Sequence, residues 1–485
     1  MNYRIMGRFM SLIVLTEAIF MIPAWGISIL YGEFRSAEAF AITIVATVII
    51  SALVYLTCRK ATIRFYAREG LVCVGLGWLI MSFVGCLPFM ISGEIPDFID
   101  AYFETVSGFT TTGASILSDV EAMSKGMLYW RSFTHWLGGM GVLVFLLAIV
   151  PASGKGSGFT MHLLRAESPG PNVGKLVPRM RQTAGILYLL YLVLTVLCFV
   201  FLLFGGMSPF EAVCTAYGTA GTGGFGIKND SMAGYSIYIQ NVCTVFMILF
   251  GVNFTCYYLL LLGKVKEVFK DEELRLYLGI IFSSILLISI NARGMFSSLG
   301  ETVQQVAFQV ATIVTTTGFA TTDFNLWPTF SKAILVILMV CGASAGSTGG
   351  GFKCGRILLL FKALKRNLRK TLNPQKILVV RNNGQMVNEK VLDNLHTYLI
   401  AYVFIIIVSF LVVCLDGESL TTSMTAVISC VNNIGPGLDQ VGPTCNYHML
   451  SVLSKIILIL DMLAGRLEIF PIMLLFSRNT WRKMV

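Results

Sequence analysis

Ten stretches of this chain are apolar over lengths that approach or exceed the ~20 residues a helix needs to cross a bilayer. They lie near 9–31, 38–58, 70–92, 127–151, 183–204, 236–262, 276–292, 328–359, 395–415 and 448–476, and glycines interrupt the eighth. Shorter semi-apolar stretches of about 10–15 residues sit between some of them and are too short to span. Only 13% of the 485 residues are charged, against about 25% in soluble domains. Mean hydropathy is +0.76. The chain is expected to be an all-α integral membrane protein, with its longest polar stretch, Lys353 to Asp393, basic and fragmentary. The first run follows Arg4 and Arg8 and continues to about Leu30. It is too long for a signal-peptide core and lacks a small-residue cleavage site, so it reads as a retained helix.

Lysine and arginine mark the cytoplasmic loops of membrane proteins. With the N-terminus inside, 28 of the 36 basic residues fall in inner segments, and the C-terminus is inside as well. Those segments hold Arg4 and Arg8; Arg59 to Arg68; Lys155 to Arg181; Lys264 to Arg275; Lys353 to Lys390; and Arg478 to Lys483. The outer side collects 15 of the 26 acids, among them Glu33, Glu94, Asp100, Glu104, Asp119, Glu121 and Asp439. An acidic mouth would concentrate cations. Alternatively, such residues cap short helices, as Ser208-Pro209-Phe210-Glu211 suggests and as Glu301 and Glu418 allow.

Four segments share one plan: an apolar span, a short outer helix, a Gly/Thr-rich stretch and a second span. The stretches read Thr110-Thr111-Thr112-Gly113, Thr219 to Phe225, Thr315-Thr316-Thr317-Gly318 and Asn432-Asn433-Ile434-Gly435. Centring them on glycines 113, 223, 318 and 435 gives separations of 110, 95 and 117. Glu301 and Glu418 each stand 17 residues before their glycine. The units run 61–155, 156–265, 266–370 and 371–485, after two extra helices in 1–60. Non-helical backbone at membrane depth is tolerated only inside protein or along a water-filled path. Four such loops around one axis would give rings of carbonyls able to replace the hydration shell of a monovalent cation. Short helices would aim their negative ends at the same point.

These loops resemble those of the Trk/Ktr/HKT superfamily of potassium transporters, and most closely its Trk branch. Three further stretches are similar to the family's motifs: His135-Trp136-Leu137-Gly138-Gly139-Met140-Gly141; Cys341 through the glycines to Lys353; and Gly465-Arg466-Leu467-Glu468-Ile469-Phe470. The resemblance covers nearly the whole chain and implies four helix–pore-loop–helix units about a pseudo-fourfold axis. It implies potassium bound at a filter of Thr111, Thr112, Gly113, Thr222, Gly223, Thr316, Thr317, Gly318, Asn433, Ile434 and Gly435. Glycine at position 113 argues for potassium, because serine at the first such position accompanies sodium transport in plant relatives. The fourth loop departs from Thr-Thr-Gly. A one-glycine filter is shorter than TVGYG, so rubidium should permeate and selectivity should be softer.

Gly342, Gly346, Ser347, Thr348, Gly349, Gly350 and Gly351 interrupt the third unit's second span. Each interior glycine costs a helix roughly 1 kcal/mol relative to alanine, so the break is expected to face protein or pore, as a gate or a fixed kink. It is no phosphate loop, since Phe352 follows Gly351. Arg466 lies inside an apolar helix, where charge demands a partner or a pore; Asp461 and Glu468 are the nearest candidates. Lys455 is expected to snorkel.

The resemblance also implies a cytosolic nucleotide-binding regulatory subunit, a homodimer and the bacterial cytoplasmic membrane. The basic inner loop after the break suits anionic lipid. No cofactor other than bound potassium is expected, because the twelve cysteines lack CxxC spacing and His135, His162, His396 and His448 are scattered. That scatter argues against an enzyme, and nothing points to nucleic acid. The rival reading is a symporter that couples potassium to protons or sodium.

Overall fold

The computed structural model describes residues 3–59, 67–139, 141 and 180–481. Lys60, Arg64, Met140, Lys155, Arg165, Lys175, Arg179, Arg482, Lys483 and the 142–151 portion of the fourth run lie outside them. Six described helices are long and apolar enough to cross a membrane: Tyr3–Leu30, Phe34–Cys58, Glu69–Ser92, Gly185–Phe204, Glu272–Asn291 and Glu389–Asp416. Their outward faces stay apolar, with Leu189, Leu192, Val196 and Leu197 exposed, the pattern of a surface solvated by lipid. The protein is an all-α membrane protein. Its one described sheet is a two-stranded hairpin, Arg381–Asn382 with Gln385–Met386, closed by Asn383-Gly384.

The first two helices form a hairpin turned at Gly32, which has φ +73°. It is fastened to the first unit by carboxylates. Glu33 accepts hydrogen bonds from the N–H groups of Lys125 (2.7 Å) and Gly126 (3.1 Å), and so caps the helix Lys125–Gly139. Glu94 accepts from Ser124 N (3.1 Å) and from the hydroxyls of Ser124 (2.7 Å) and Ser36 (2.9 Å). A Cβ on Gly126 would stand 1.8 Å from Ser28 Oγ, so the hairpin packs at backbone contact there.

Each of the four units contains a short helix that ends at its Gly/Thr-rich or Asn/Gly stretch: Phe98–Phe109, Pro209–Gly221, Leu299–Val314 and Leu420–Val431. All four begin the same way. The cap side chain (Asp97, Ser208, Ser298 or Ser419) accepts from the N–H three residues on, at 3.0, 3.3, 3.1 and 3.1 Å. Such caps contribute about 1 kcal/mol each. Glu301 reaches back past the cap to accept from Ser297 N at 3.2 Å, one residue short of a capping box, whereas Glu418 precedes its helix.

The second helices of the second, third and fourth units do not run straight through. The sequence predicts an interruption only in the third unit. In the second unit the helix stops at Phe250 and resumes at Phe254, bent by 87°. In the fourth it stops at Arg466 and resumes at Phe470, with Glu468 and Ile469 at φ +60° and +65°. Asn253 starts the new segment of the second unit by capping Thr255 N at 2.9 Å. In the third unit the break separates Thr329–Cys341 from Cys354–Leu372.

The ends of the chain of units meet. Tyr447 N donates to Ser115 O (2.8 Å), and buried Lys455 pairs with Asp100 at 2.6 Å. Lys455 therefore does not snorkel; it joins the fourth unit to the first turn of the first short helix. Lys455→Met would leave the largely buried Asp100 with only the exposed His448 ring, 3.7 Å away, and should cost up to about 3 kcal/mol. Chemical unfolding in detergent should show that loss, and Lys455→Met/Asp100→Asn should recover most of it.

A candidate ion filter and the break beneath it

Each short helix ends in the same hydrogen-bonded hook. The N–H groups of Thr111, Thr222, Thr316 and Asn433 reach back three residues, to Gly108, Thr219, Ile313 and Cys430, at 3.1–3.2 Å. The next N–H groups, of Thr112, Gly223, Thr317 and Ile434, reach back five, to Ser107, Gly218, Thr312 and Ser429, at 2.8–3.0 Å. This is the Schellman arrangement, which requires a left-handed residue at the hook. That residue is Thr111 (φ +56°), Thr222 (+52°), Thr316 (+57°) and Asn433 (+55°). A threonine in this region costs roughly 1–2 kcal/mol, so the surroundings must impose it. Thr316 Oγ1 accepts from Gly350 N at 2.6 Å, and Asn433 Nδ2 donates to Thr112 Oγ1 (3.0 Å) and Met462 O (2.8 Å). Behind the loops, Thr110 pairs with Thr112 and Thr315 with Thr317, hydroxyl to hydroxyl, both at 2.8 Å.

The hooks fix the register. The second positive-φ residue of each loop is Gly113 (+77°), Gly224 (+77°), Gly318 (+90°) and Gly435 (+101°). In the second loop the equivalent glycine is thus Gly224, one residue beyond the Gly223 on which the sequence reading centred. Gly223 takes the place of Thr112, Thr317 and Ile434. It has to be small because a Cβ there would stand 2.2 Å from the His135 ring. His135 spans the first two units: Nδ1 lies 2.8 Å from Gly108 O, and Nε2 accepts from Phe225 N at 3.2 Å.

The four loops close a ring. A Cβ on Gly113 would stand 2.0 Å from Gly223 O; on Gly224, 2.0 Å from Thr317 O; on Gly318, 2.2 Å from Ile434 O; and on Gly435, 2.8 Å from Thr112 O. Every glycine thus abuts the carbonyl just before its counterpart in the next loop, and the fourth returns to the first. Four carbonyls make this ring, those of Thr112, Gly223, Thr317 and Ile434, and each is preceded by that of a hook residue, Thr111, Thr222, Thr316 or Asn433; all eight residues are buried. Among the described residues none of the eight carbonyls accepts a hydrogen bond. Gly435 O differs, accepting from Ser429 Oγ and Tyr447 Oη, each at 2.7 Å.

On one side of the ring opens a cavity of about 140 Å³ whose floor includes Gly113, Gly224, Gly318 and Gly435. Among the described residues no carboxylate lines it. The acids expected at an acidic mouth serve as ties: Glu104 pairs with Arg131, Asp100 with Lys455, and Asp119 and Glu121 hold Asn229. The amide of Asn229 also holds the exposed Asp119 carboxyl below its ordinary range.

On the other side lies the break of the third unit. Ser344 N and Thr348 N donate to Gly251 O (3.1 Å) and Phe250 O (3.4 Å), and Gly346 O accepts from Phe254 N at 3.0 Å. Gly350 N reaches Thr316, and Gly351 N reaches Asn432 O at 3.0 Å. Gly349 and Gly350 press on the loops from this side: a Cβ on Gly349 would be 2.9 Å from Thr315 O, and on Gly350 2.4 Å from Asn432 O. Gly342 starts the break against Gly350 and Gly351, and Ser347 Oγ donates to Ser344 O at 2.7 Å. Arg466 crosses beneath. It donates to Thr348 O (3.0 Å), Gly139 O (2.7 Å) and Gly138 O, and so bridges the fourth unit to the first and third. Neither acid proposed as its partner takes that role: Asp461 accepts from Ser409 Oγ at 2.7 Å, and Glu468 pairs with Arg356. Lys353 turns inward onto Gly349 O.

The register carries a direct test. Gly224→Ala would add strain at φ +77° and place a methyl 2.0 Å from Thr317 O. Cation flux should fall at least about tenfold, the factor set by about 1.4 kcal/mol, in protein that still purifies as one species. Wild-type flux in Gly224→Ala would put the ring elsewhere.

Comparison with known proteins agrees with this architecture. The family model for TrkH, described as a cation transport protein, matches residues 36–483. The Trk system potassium uptake protein TrkH of Escherichia coli K12 is 34% identical over 491 residues, covering 100% of both chains. TrkG of the same strain is 31% identical, covering 99% of both. The crystal structure of the potassium transporter TrkH from Vibrio parahaemolyticus superposes with a TM-score of 0.88 at 30% identity, covering 99% of this chain and 100% of that one. With the matched model spanning most of its length and full-length relatives above 30% identity, the chain belongs to the TrkH family of cation transport proteins.

Proposed function

We propose that this protein takes up potassium through a path along the axis of its four units. Ions shed water against the carbonyls of Thr111–Gly113, Thr222–Gly224, Thr316–Gly318 and Asn433–Gly435. The observation that carries this reading is the set of eight buried carbonyls without hydrogen-bond donors. Burying such groups unpaired costs free energy, and a monovalent cation held among them offsets that cost. The ends of four helices converge there and add partial negative charge. The matched relatives are named potassium uptake proteins, which supports the choice of ion. The process is transport without chemical conversion, and bound potassium is the only cofactor it needs.

In this reading the segment from Gly342 to Gly351 and Arg466 form the gate. The closed arrangement is held by several hydrogen bonds to all four units, each contributing about 0.5–1.5 kcal/mol, and Arg466 places positive charge below the ring. Opening draws on a cytosolic nucleotide-binding regulatory subunit that acts on the membrane-embedded homodimer, with both termini cytoplasmic. Resemblance to the Trk branch supports that assembly.

A second reading, coupling of potassium to protons, has one observation in its favour. Glu17 is buried in the spanning helix Tyr3–Leu30 and Asp461 in the helix Val452–Arg466, and both Glu17 oxygens and Asp461 Oδ2 lack hydrogen-bond partners among the described residues. Such carboxyls can carry a proton.

Rubidium-tracer uptake into proteoliposomes containing only this chain separates the two, with sodium and proton gradients varied independently. A pore gives uptake that follows membrane potential, is competed by potassium and is abolished by Gly318→Asp. A coupled transporter gives uptake that requires the ion gradient, and Asp461→Asn or Glu17→Gln removes that requirement. Deleting residues 343–349 should raise flux through a pore; unchanged flux in the folded deletion would remove the gate assignment.

A further inference from the structure

Three of the four short helices fasten the backbone just beyond their own filter glycine. Glu104 Oε2 accepts from Ile116 N at 2.9 Å, and Thr425 Oγ1 accepts from Leu438 N at 2.9 Å. Gln309, with its amide oxygen turned to accept, takes Thr321 N at 3.0 Å. Each N–H belongs to the third residue after Gly113, Gly435 or Gly318. The second unit is held differently: Arg131, from the first unit, donates through Nη1 to Gly226 O at 2.8 Å.

Arg131 is the hub of a buried charged network. Its Nε lies 2.6 Å from Glu104 Oε1, and both side chains are almost fully buried. Its Nη2 donates to Ser115 Oγ at 3.2 Å, and Ser115 Oγ donates to Glu104 at 2.9 Å. The guanidinium sits 3.5 Å from the centre of the Phe225 ring. One ion pair thus grips the first short helix, the segment after Gly113 and the segment after Gly224. Arg131 also lines the cavity above the ring, together with Lys228 and no carboxylate. Glu104 is its only ion-pair partner among the described residues.

We propose that Glu104 and Arg131 are positioning residues that set both the affinity and the selectivity of the filter, an inference that rests on the filter reading. Glu104 cancels a cation beside the ion path. The fork of Arg131 fixes the spacing of the first two loops, which lysine, a point charge, cannot do. Glu104 stands nine residues before Gly113, as Gln309 does before Gly318, so glutamine fits that place sterically.

The test is saturable rubidium uptake by the full chain in proteoliposomes, with sodium as competitor. Glu104→Gln leaves Arg131 uncompensated and should raise half-saturation at least about tenfold, as like charge at a desolvated site does. Glu104→Gln/Arg131→Gln removes the excess charge and should return half-saturation to within about threefold of wild type while discrimination against sodium stays lost. Arg131→Lys keeps the charge and should spare half-saturation while weakening discrimination at least about threefold. A double variant no better than Glu104→Gln, or Arg131→Lys with wild-type discrimination, would overturn the proposal. The lysine variant decides the matter if Glu104→Gln fails to fold. Wild-type protein without saturable, potassium-competed uptake would instead overturn the filter reading itself.

Discussion

The architecture turns on one contact made four times: a glycine pressed against a carbonyl of the neighbouring loop. Without a side chain at Gly113, Gly224, Gly318 and Gly435, backbone can approach backbone, and four loops close into a ring. The contact dictates much else. The short helices must end abruptly, so each finishes in a left-handed hook, three of them at threonine despite its strain. The helices behind must come close, so Gly138 meets Phe109 O and Gly465 meets Val431 O at distances no Cβ would permit. The hooks then leave carbonyls without donors in a buried place, and such carbonyls make the ring suited to a cation.

Much of this is legible in the sequence, for physical reasons that can be named. Apolar runs are long because lipid solvates them on one side, and glycines recur once per unit because each loop makes the same close contact. The second loop misleads because Gly221, Gly223 and Gly224 all stand there. Its register depends on where the helix stops and on the His135 ring over Gly223, a contact across more than eighty residues. The bends after Phe250 and Arg466 are hidden for a related reason. No glycine cluster marks them; they are held by tertiary partners, Gly346 for one and Arg356 for the other. Arg131 passes unnoticed because it looks like a lone charge near the start of a span, and its partner Glu104 looks like one more acid at an acidic mouth. The two meet only when helices 98–109 and 125–139 pack.

The break and the ring are mechanically linked. Gly350 N supports the strained Thr316, Gly351 N occupies Asn432 O, and Arg466 ties the break to the first unit. In the gating role proposed for it, movement of the break would remove supports from the third and fourth hooks. The proposed gate would then bear on the ring as well, so opening and ion preference should change together.

The account stands or falls on where the ion binds. Anomalous diffraction from crystals grown in rubidium measures that directly. The account requires a peak on the ring axis, among the carbonyls of Thr112, Gly223, Thr317 and Ile434, displaced when potassium replaces rubidium. A ring without a peak, with rubidium instead beside Asp461 or Glu17, would contradict it and make the buried carboxylates the site of ion handling.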